Sequence, residues 1–106
     1  MNYRFMRIIL FFDLPSVTDL DKKEYRHFVK HIKQLGFYML QESVYIKLAM
    51  TSFVGESIEK DVKSHLPKVG IVSILTVTEK QFQSMKTLIG KNPTTVIDSD
   101  ERLVEL

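Results

Sequence analysis

The stretch "MRIILFFDLP", residues 6–15, decides the fold of this chain. It is apolar from Ile8 to Phe12 and then ends on a carboxylate, Asp13, just before a Leu-Pro step. A short run of this kind, rich in Ile and Phe and bounded by proline, predicts a buried β-strand. We therefore expect a strand over residues 4–14 in the interior of a sheet, with an acid at its end.

The segment after this strand predicts the first helix. Ser16 or Thr18 can cap its first turn, with Asp19 or Asp21 three residues further on. Apolar side chains then recur with the 3.6-residue period of a helix that buries one face, at Tyr25, Phe28, Val29, Ile32 and Leu35. Gly36 supplies the left-handed residue with which helices often end.

The residues that follow predict two further strands in one ribbon. The stretch "FYMLQESVYIKLAM", residues 37–50, is dense in β-forming residues, and Gln41 and Glu42 mark a bend within it. Its second half alternates two sets of side chains, which is typical of a half-buried strand: Val44, Ile46 and Leu48 alternate with Ser43, Tyr45 and Lys47.

A second helix and a last long strand complete the pattern. Thr51 or Ser52 begins the helix, and four apolar residues share one of its faces, namely Val54, Ile58, Val62 and Leu66. The stretch "GIVSILTVTE", residues 70–79, is an apolar strand, and Thr78 with Gln81 forms a capping box for a short helix. Residues 90–106 are expected to be a loop and a C-terminal strand.

This order of elements is βαββαβ, an α+β fold in which two helices cover one face of an antiparallel sheet. The two longest strands are apolar on both faces, so the second face also needs a cover. A symmetric second copy of the chain is the economical cover, which predicts a homodimer that associates through its sheets.

The composition limits the class of protein. A chain of 106 residues is expected to be one domain, 1–106, because domains most often hold roughly 100–150 residues. The absence of cysteine excludes disulfides, thiolate metal sites and a thiol nucleophile. No stretch approaches the roughly 20 apolar residues of a membrane span, and no signal peptide is evident, so we expect a cytoplasmic protein without membrane contact.

The charge is unevenly distributed, which hints at a polyanionic partner. The net charge is +2, with eight Lys and Arg against five Asp and Glu in residues 1–50, and four acids against one Arg in residues 98–106. Four basic side chains of the first helix are candidates for phosphate contacts: Lys22, Lys23, Arg26 and Lys30. The alternative is that they form an ordinary solvated helix face.

His27 and His31 have the four-residue spacing of some zinc ligands, but no third ligand is evident. A solvated basic face is the better interpretation for them.

Asp13 has two interpretations. It can cap the turn into the first helix, or it can bind a hard cation such as Mg²⁺, which prefers oxygen ligands. Two copies of Asp13 across a dimer axis would make a better metal site than one.

Three parts of the sequence together resemble a known family. The stretches "MRIILFFDLP", "GFYMLQESVYIKL" and "SILTVTEKQF…SDERLVEL" are similar to the CRISPR-associated protein Cas two (Cas2) family, in the form found in type II systems. The strand that ends in an Asp-hydrophobic-Pro step, followed by Gln-x-Ser-Val-Tyr, is specific in combination at this length. The resemblance covers essentially the whole chain.

The resemblance implies a ferredoxin-like fold, a homodimer and a part in spacer acquisition. It implies a complex with the Cas one (Cas1) integrase, in which two integrase dimers flank the central dimer, and binding of double-stranded protospacer DNA. Many members are described as magnesium-dependent nucleases on RNA or DNA, and Asp13 matches the metal-binding aspartate of the family. Ser43, Val44 and Tyr45 match its second motif, which we interpret mainly as strand packing near the same rim.

Three functions remain open at this point. The chain is a magnesium-dependent endonuclease that uses Asp13, or a structural adaptor for the integrase and DNA, or a small ferredoxin-like regulatory or ligand-binding dimer without nuclease activity. The adaptor role is favoured as the biological function. A steep salt dependence of DNA binding would separate the first two functions from the third.

Overall fold

The computed structural model describes residues 5–90, and in this part of the chain it contains four strands and three helices. They are β1 (Met6–Asp13), α1 (Asp19–Gln34), β2 (Tyr38–Gln41), β3 (Val44–Ala49), α2 (Ser52–Lys63), β4 (Ile71–Thr78) and α3 (Glu79–Gln83). The sheet is antiparallel with strand order β2-β3-β1-β4. The α+β, ferredoxin-like fold is therefore confirmed. The loop and strand expected at 90–106 lie outside the described residues, apart from Gly90.

One hydrophobic core lies between the sheet and helices α1 and α2. Alternate residues of β1, namely Ile8, Leu10 and Phe12, are 0–6% exposed and point to this side. They pack with residues of every other large element, among them Phe28, Ile32, Phe37, Tyr45, Ala49, Ile58 and Val62. Both helices thus cover the same face of the sheet, as the sequence predicted.

The alternation predicted in β3 is present. Tyr45, Lys47 and Ala49 lie on the face of the sheet that the helices cover. Leu10 pairs with Tyr45 in register, and the Tyr45 ring stacks on Phe12 with 5.6 Å between the ring centroids. The other set, Val44, Ile46 and Leu48, lies on the opposite face. The turn is at Glu42 and Ser43, one residue later than expected.

The helix ends follow from local chemistry. Thr18 caps α1 in a reciprocal box, in which its hydroxyl accepts from the Asp21 N–H and the Asp21 carboxylate accepts from the Thr18 N–H. Gly36 has a φ of +104° after α1, as predicted. Among residues 5–90, no helix is long and apolar enough to span a bilayer.

The apolar face predicted for α2 is only half correct. Ile58 and Val62 are buried, whereas Val54 is 39% and Leu66 47% exposed. The helix ends at Lys63, before Leu66, because a residue that precedes proline is disfavoured in the α conformation. The segment that contains Leu66 therefore leaves the helix axis and the core.

Neither α1 nor α2 covers the second face of the sheet. Along β1 it presents Arg7, Ile9, Phe11 and Asp13, and along β4 it presents Ile71 and alternate residues after it. Ile9 is buried, but several apolar side chains of this face remain exposed: Phe11 (40%), Leu48 (38%), Ile71 (63%) and Leu75 (51%). We call these four residues the uncovered apolar face.

Candidate functional site

Asp13 lies at the exposed end of β1, on the side of the sheet away from α1 and α2. It is held in place on both sides. On one side it pairs in register with Ile71 of β4. On the other, the N–H of Phe12 donates a 3.1 Å hydrogen bond to the Ser43 carbonyl of the β2–β3 turn. A carboxylate fixed by paired backbone on both sides is a rigid feature of the sheet rim.

A hollow of about 280 Å³ opens around this carboxylate. Three oxygen-bearing side chains belong to its lining, Asp13, Ser43 and Ser73. Apolar residues complete it: Phe11, Phe12, Val44 and Ile71. We call it the Asp13 hollow. Its lining therefore includes both Asp13, the residue predicted to bind a metal ion, and two residues of the uncovered apolar face, Phe11 and Ile71.

Gly70 holds the start of β4 close to the end of β1. Its φ is +108°, and a Cβ atom added there would lie 2.9 Å from the Asp13 carbonyl oxygen and 2.7 Å from the Leu14 Cδ2 atom. Only glycine combines this backbone conformation with so close an approach. The residue type at position 70 therefore helps to set the position of Asp13.

The alternative role of Asp13, as a cap of the turn into the first helix, is not observed in the part of the chain that the structure describes. The helix itself is capped by Thr18, and Asp21 completes the box, as in one of the two predicted pairs. Within residues 5–90, no side-chain hydrogen bond or ion pair involves Asp13. Its carboxylate oxygens therefore have no hydrogen-bond or ion-pair partner in the described part of the chain, and Asp13 is one of the residues that line the Asp13 hollow.

The chemistry of the hollow suits a hydrated magnesium ion. Carboxylate and hydroxyl oxygens are hard ligands, and Mg²⁺ commonly keeps several waters with only one or two carboxylates. Among residues 5–90, no group of three or more His, Cys, Asp or Glu side chains is close enough to hold a metal ion. One chain thus offers a partial site, which a second Asp13 from a symmetric copy would complete.

The four basic residues predicted for phosphate contacts lie on α1, and all are exposed. Lys23 lines a hollow of about 410 Å³ that also includes His27, His65 and Lys68. Arg26 and Lys30 line a different hollow of about 540 Å³, together with Lys33. The spacing of four residues places Lys22, Arg26 and Lys30 in one row along the helix surface.

His27 and His31, which were predicted to lie on a solvated face of α1, have different surroundings. His31 places its Nε2 atom 3.0 Å from the Asp61 carbonyl oxygen, where the ring N–H donates, and its ring lies 3.9 Å from that of His65. His27, by contrast, lies in the hollow lined by Lys23. His31 therefore joins α1 to the end of α2.

Ser73 is the residue of the Asp13 hollow that the sequence did not single out. It pairs in register with Phe11 of β1 and so lies on the same face as Asp13. Its signal in the sequence is a serine inside the mainly apolar run "GIVSILTV". That signal becomes meaningful only when the register of β1 and β4 is known.

A second polar group lies at the other end of this face. Arg7 donates to Glu79 through Nε at 2.6 Å and to the Tyr38 hydroxyl at 2.9 Å, and its guanidinium lies 4.8 Å from the Phe82 ring centroid. The hydrogen bonds that Arg7 donates to Glu79 lower the pKa of the Glu79 carboxyl. The same interaction raises the pKa of the Arg7 guanidinium. Phe82 thus packs under Arg7 and fixes α3 to β1.

The fold and the site define a ferredoxin-like α+β protein with an exposed carboxylate at the rim of an uncovered sheet face. The sequence profile of the family described as "CRISPR associated protein Cas2" matches residues 6–85. The chain is also similar to curated proteins named "CRISPR-associated endoribonuclease Cas2". It is 44% identical to that of Treponema denticola and 42% identical to that of Ligilactobacillus salivarius, in each case over 95% of this chain and 100% of the relative.

A third relative of the same name, from Streptococcus mutans serotype c, is 44% identical over 95% of this chain and 93% of the relative. These matches extend over nearly the full length of both partners. The chain belongs to the Cas2 family of CRISPR-associated proteins. This membership favours the two CRISPR functions over a regulatory or ligand-binding dimer.

Proposed function

We propose that this chain acts in CRISPR adaptation as a homodimer that binds protospacer DNA and the Cas one integrase. We further propose that Asp13 binds Mg²⁺ for an endonuclease activity on RNA or DNA that is secondary to the adaptor role. The observation that carries both proposals is an available carboxylate at the rim of an uncovered apolar face. Relatives at up to 44% identity bear the name endoribonuclease, which supports the nuclease part.

The uncovered apolar face supports the homodimer. Exposed apolar patches that continue a hydrophobic layer are characteristic of protein interfaces. A two-fold axis through this face would place the same residues of both copies against each other, since such interfaces are self-complementary. An axis that passes close to Asp13 at the rim would bring the two carboxylates toward one another and complete the partial metal site.

Exposed cations on one face of α1 support the binding of nucleic acid. Each Lys or Arg that neutralises a phosphate releases a counterion, so a row of positive side chains suits a backbone that carries charge along its length. Lys22, Arg26 and Lys30 are spaced four residues apart and lie in one row along α1, with Lys23 beside them. In the dimer, the second copy would double this positive surface, which suits a duplex longer than one chain.

For the nuclease activity, this chain supplies a carboxylate and a rigid rim. When bound, magnesium would supply an activated water and stabilise the negative charge that develops on the phosphate. Asp13 would hold the ion, and the paired backbone of Phe12 and Ile71 would keep the carboxylate in place. The aromatic walls of the Asp13 hollow would exclude bulk water from one side.

Asp13→Asn separates the two parts of the proposal, because asparagine keeps the shape and removes the charge. We expect magnesium-dependent cleavage of RNA and DNA by the purified protein to be lost. We expect new spacers still to be acquired in cells that carry the integrase, because the dimer and the complex do not need the charge. Asp19→Asn, an exposed acid in the first turn of α1, is the matched control.

Two results would contradict the proposal. Cleavage that survives Asp13→Asn would exclude Asp13 as the metal residue. Loss of acquisition while the dimer and the integrase complex still assemble would show that the carboxylate has a metal-dependent task in adaptation itself, so that the adaptor role alone is insufficient.

A further inference from the structure

Ser43 has a backbone conformation that serine rarely adopts. Its φ is +62°, in the left-handed region, and in residues 5–90 it is the only residue other than glycine with a positive φ. It occupies the second position of the two-residue turn between β2 and β3, where glycine or asparagine is the usual choice. Strained residues of this kind persist where the surrounding structure holds them, and they are concentrated at functional sites.

The position of Ser43 relates this strain to Asp13. Its carbonyl accepts the hydrogen bond from the N–H of Phe12, the residue just before Asp13. Ser43 is half-buried and lines the Asp13 hollow. Among residues 5–90, its hydroxyl has no hydrogen-bond partner in the protein. Glycine would make the same turn and the same backbone hydrogen bond without strain, so what serine adds at this position is an oxygen atom.

We propose that the Ser43 hydroxyl is a second oxygen donor for the divalent cation held by Asp13. This inference rests on the proposed magnesium role of Asp13 and goes beyond it, because it assigns a ligand on a different element. A neutral hydroxyl adds a hard ligand without adding repulsion between charges, which matters where two carboxylates approach across a dimer axis. Ser73 lies in the same hollow on a regular strand, so it provides a comparison between two hydroxyls.

The test measures Mn²⁺ affinity of the full chain from the loss of the free Mn²⁺ signal in electron paramagnetic resonance. Ser43→Gly removes the oxygen and suits the backbone, so the protein remains folded. We expect it to weaken Mn²⁺ binding by about tenfold, a loss typical of supporting groups at metal sites. Ser43→Asn tolerates the same φ and returns a carbonyl oxygen, so we expect it to recover most of the affinity. Ser73→Ala should change the affinity by less than about threefold, below the tenfold loss typical of a supporting group.

The outcomes distinguish this inference from the function on which it rests. If Asp13→Asn abolishes Mn²⁺ binding while Ser43→Gly binds like the unsubstituted protein, the role of Ser43 is overturned and the role of Asp13 stands. If Ser73→Ala weakens binding as much as Ser43→Gly does, the assignment to Ser43 is overturned. If Asp13→Asn binds Mn²⁺ unchanged, both roles fail.

Discussion

Replacement of Gly70 should disturb the candidate site, although Gly70 does not line the Asp13 hollow. Gly70→Ala forces a side chain into the left-handed region and against the Asp13 carbonyl oxygen, 2.9 Å away. We expect the free energy of unfolding to fall by about 1–3 kcal/mol, the usual cost of a strained backbone position. Urea unfolding followed by circular dichroism measures this change.

Gly55→Ala is the matched control for this prediction. Gly55 lies in α2, and a Cβ there would meet only the Ile8 Cδ1 atom at an ordinary 3.8 Å. Because glycine inside a helix is unfavourable, we expect the alanine to raise stability by roughly 0.5–1 kcal/mol. Equal destabilisation of both variants would mean that the contact between Gly70 and Asp13 does not constrain the end of β1.

At this scale the sequence predicted the acid but not its surroundings. Asp13 was evident because a carboxylate after an apolar strand is unusual. Ser73 and the strained φ of Ser43 were not evident, since each depends on strand register or on backbone angles that no residue pattern specifies. A site assembled from three strand ends is therefore visible in the sequence only through its most unusual residue.

Among the elements, those with strong local signals were predicted well. The capping box at Thr78 and the glycine after α1 lie where the sequence placed them, and the cap of α1 is one of the two predicted pairs, because caps depend on residues three positions apart. The length of α2 and the packing of Phe82 were not predicted. The packing of Phe82 depends on a tertiary contact, the guanidinium of Arg7 over its ring, that overrides helical periodicity. The helix α2 ends before the residue that precedes Pro67, although its apolar pattern continues to Leu66.

The attachment of α3 to β1 predicts a pH-dependent contribution to stability. Hydrogen bonds from Arg7 lower the pKa of Glu79 in the folded protein below its unfolded value of about 4.3. The contribution is therefore present above about pH 4.3 and is lost as the pH falls through the lower, folded-state pKa. At pH 7 we expect Glu79→Gln to lower the free energy of unfolding by about 1 kcal/mol or less, since the pair is partly exposed.

The measurement compares chemical unfolding of the two proteins between pH 7 and pH 3. The difference between them should shrink toward the acid end of this range. Glu59→Gln is the control, because its pair with Lys63 is more exposed and spans 3.3 Å within one helix. A difference that stays constant down to pH 3 would mean that Glu79 acts through packing and not through its charge.

For the whole molecule, the sheet has two apolar faces but its main helices cover only one. The sequence predicted this imbalance because the two long strands are apolar at nearly every position. It predicted a second copy of the chain as the cover of the other face but could not place the symmetry axis, since the residue pattern of a single chain contains no information about that axis. The exposure of Leu75 and Ile71, more than half of each side chain, is the physical basis for expecting a second copy.

Leu75→Glu tests that expectation directly. Leu75 is 51% exposed on the uncovered apolar face, so in one isolated chain the glutamate would remain in contact with water. In a dimer that associates through this face, two unpaired charges would be buried, which costs far more than lost apolar contact. We therefore expect analytical ultracentrifugation to detect a dimer for the unsubstituted protein and a folded monomer for Leu75→Glu.

Leu66→Glu is the matched control, because Leu66 is 47% exposed but lies beyond α2, away from the uncovered apolar face. It should leave the dimer intact. In the proposed function the dimer would also complete the metal site, because one chain contributes a single carboxylate to the Asp13 hollow. Leu75→Glu should therefore weaken Mn²⁺ binding although Leu75 lies outside the lining of that hollow. A monomeric variant that binds Mn²⁺ as tightly as the dimer would mean that Asp13 of one chain is sufficient, and that symmetry contributes to adaptation only through the interface.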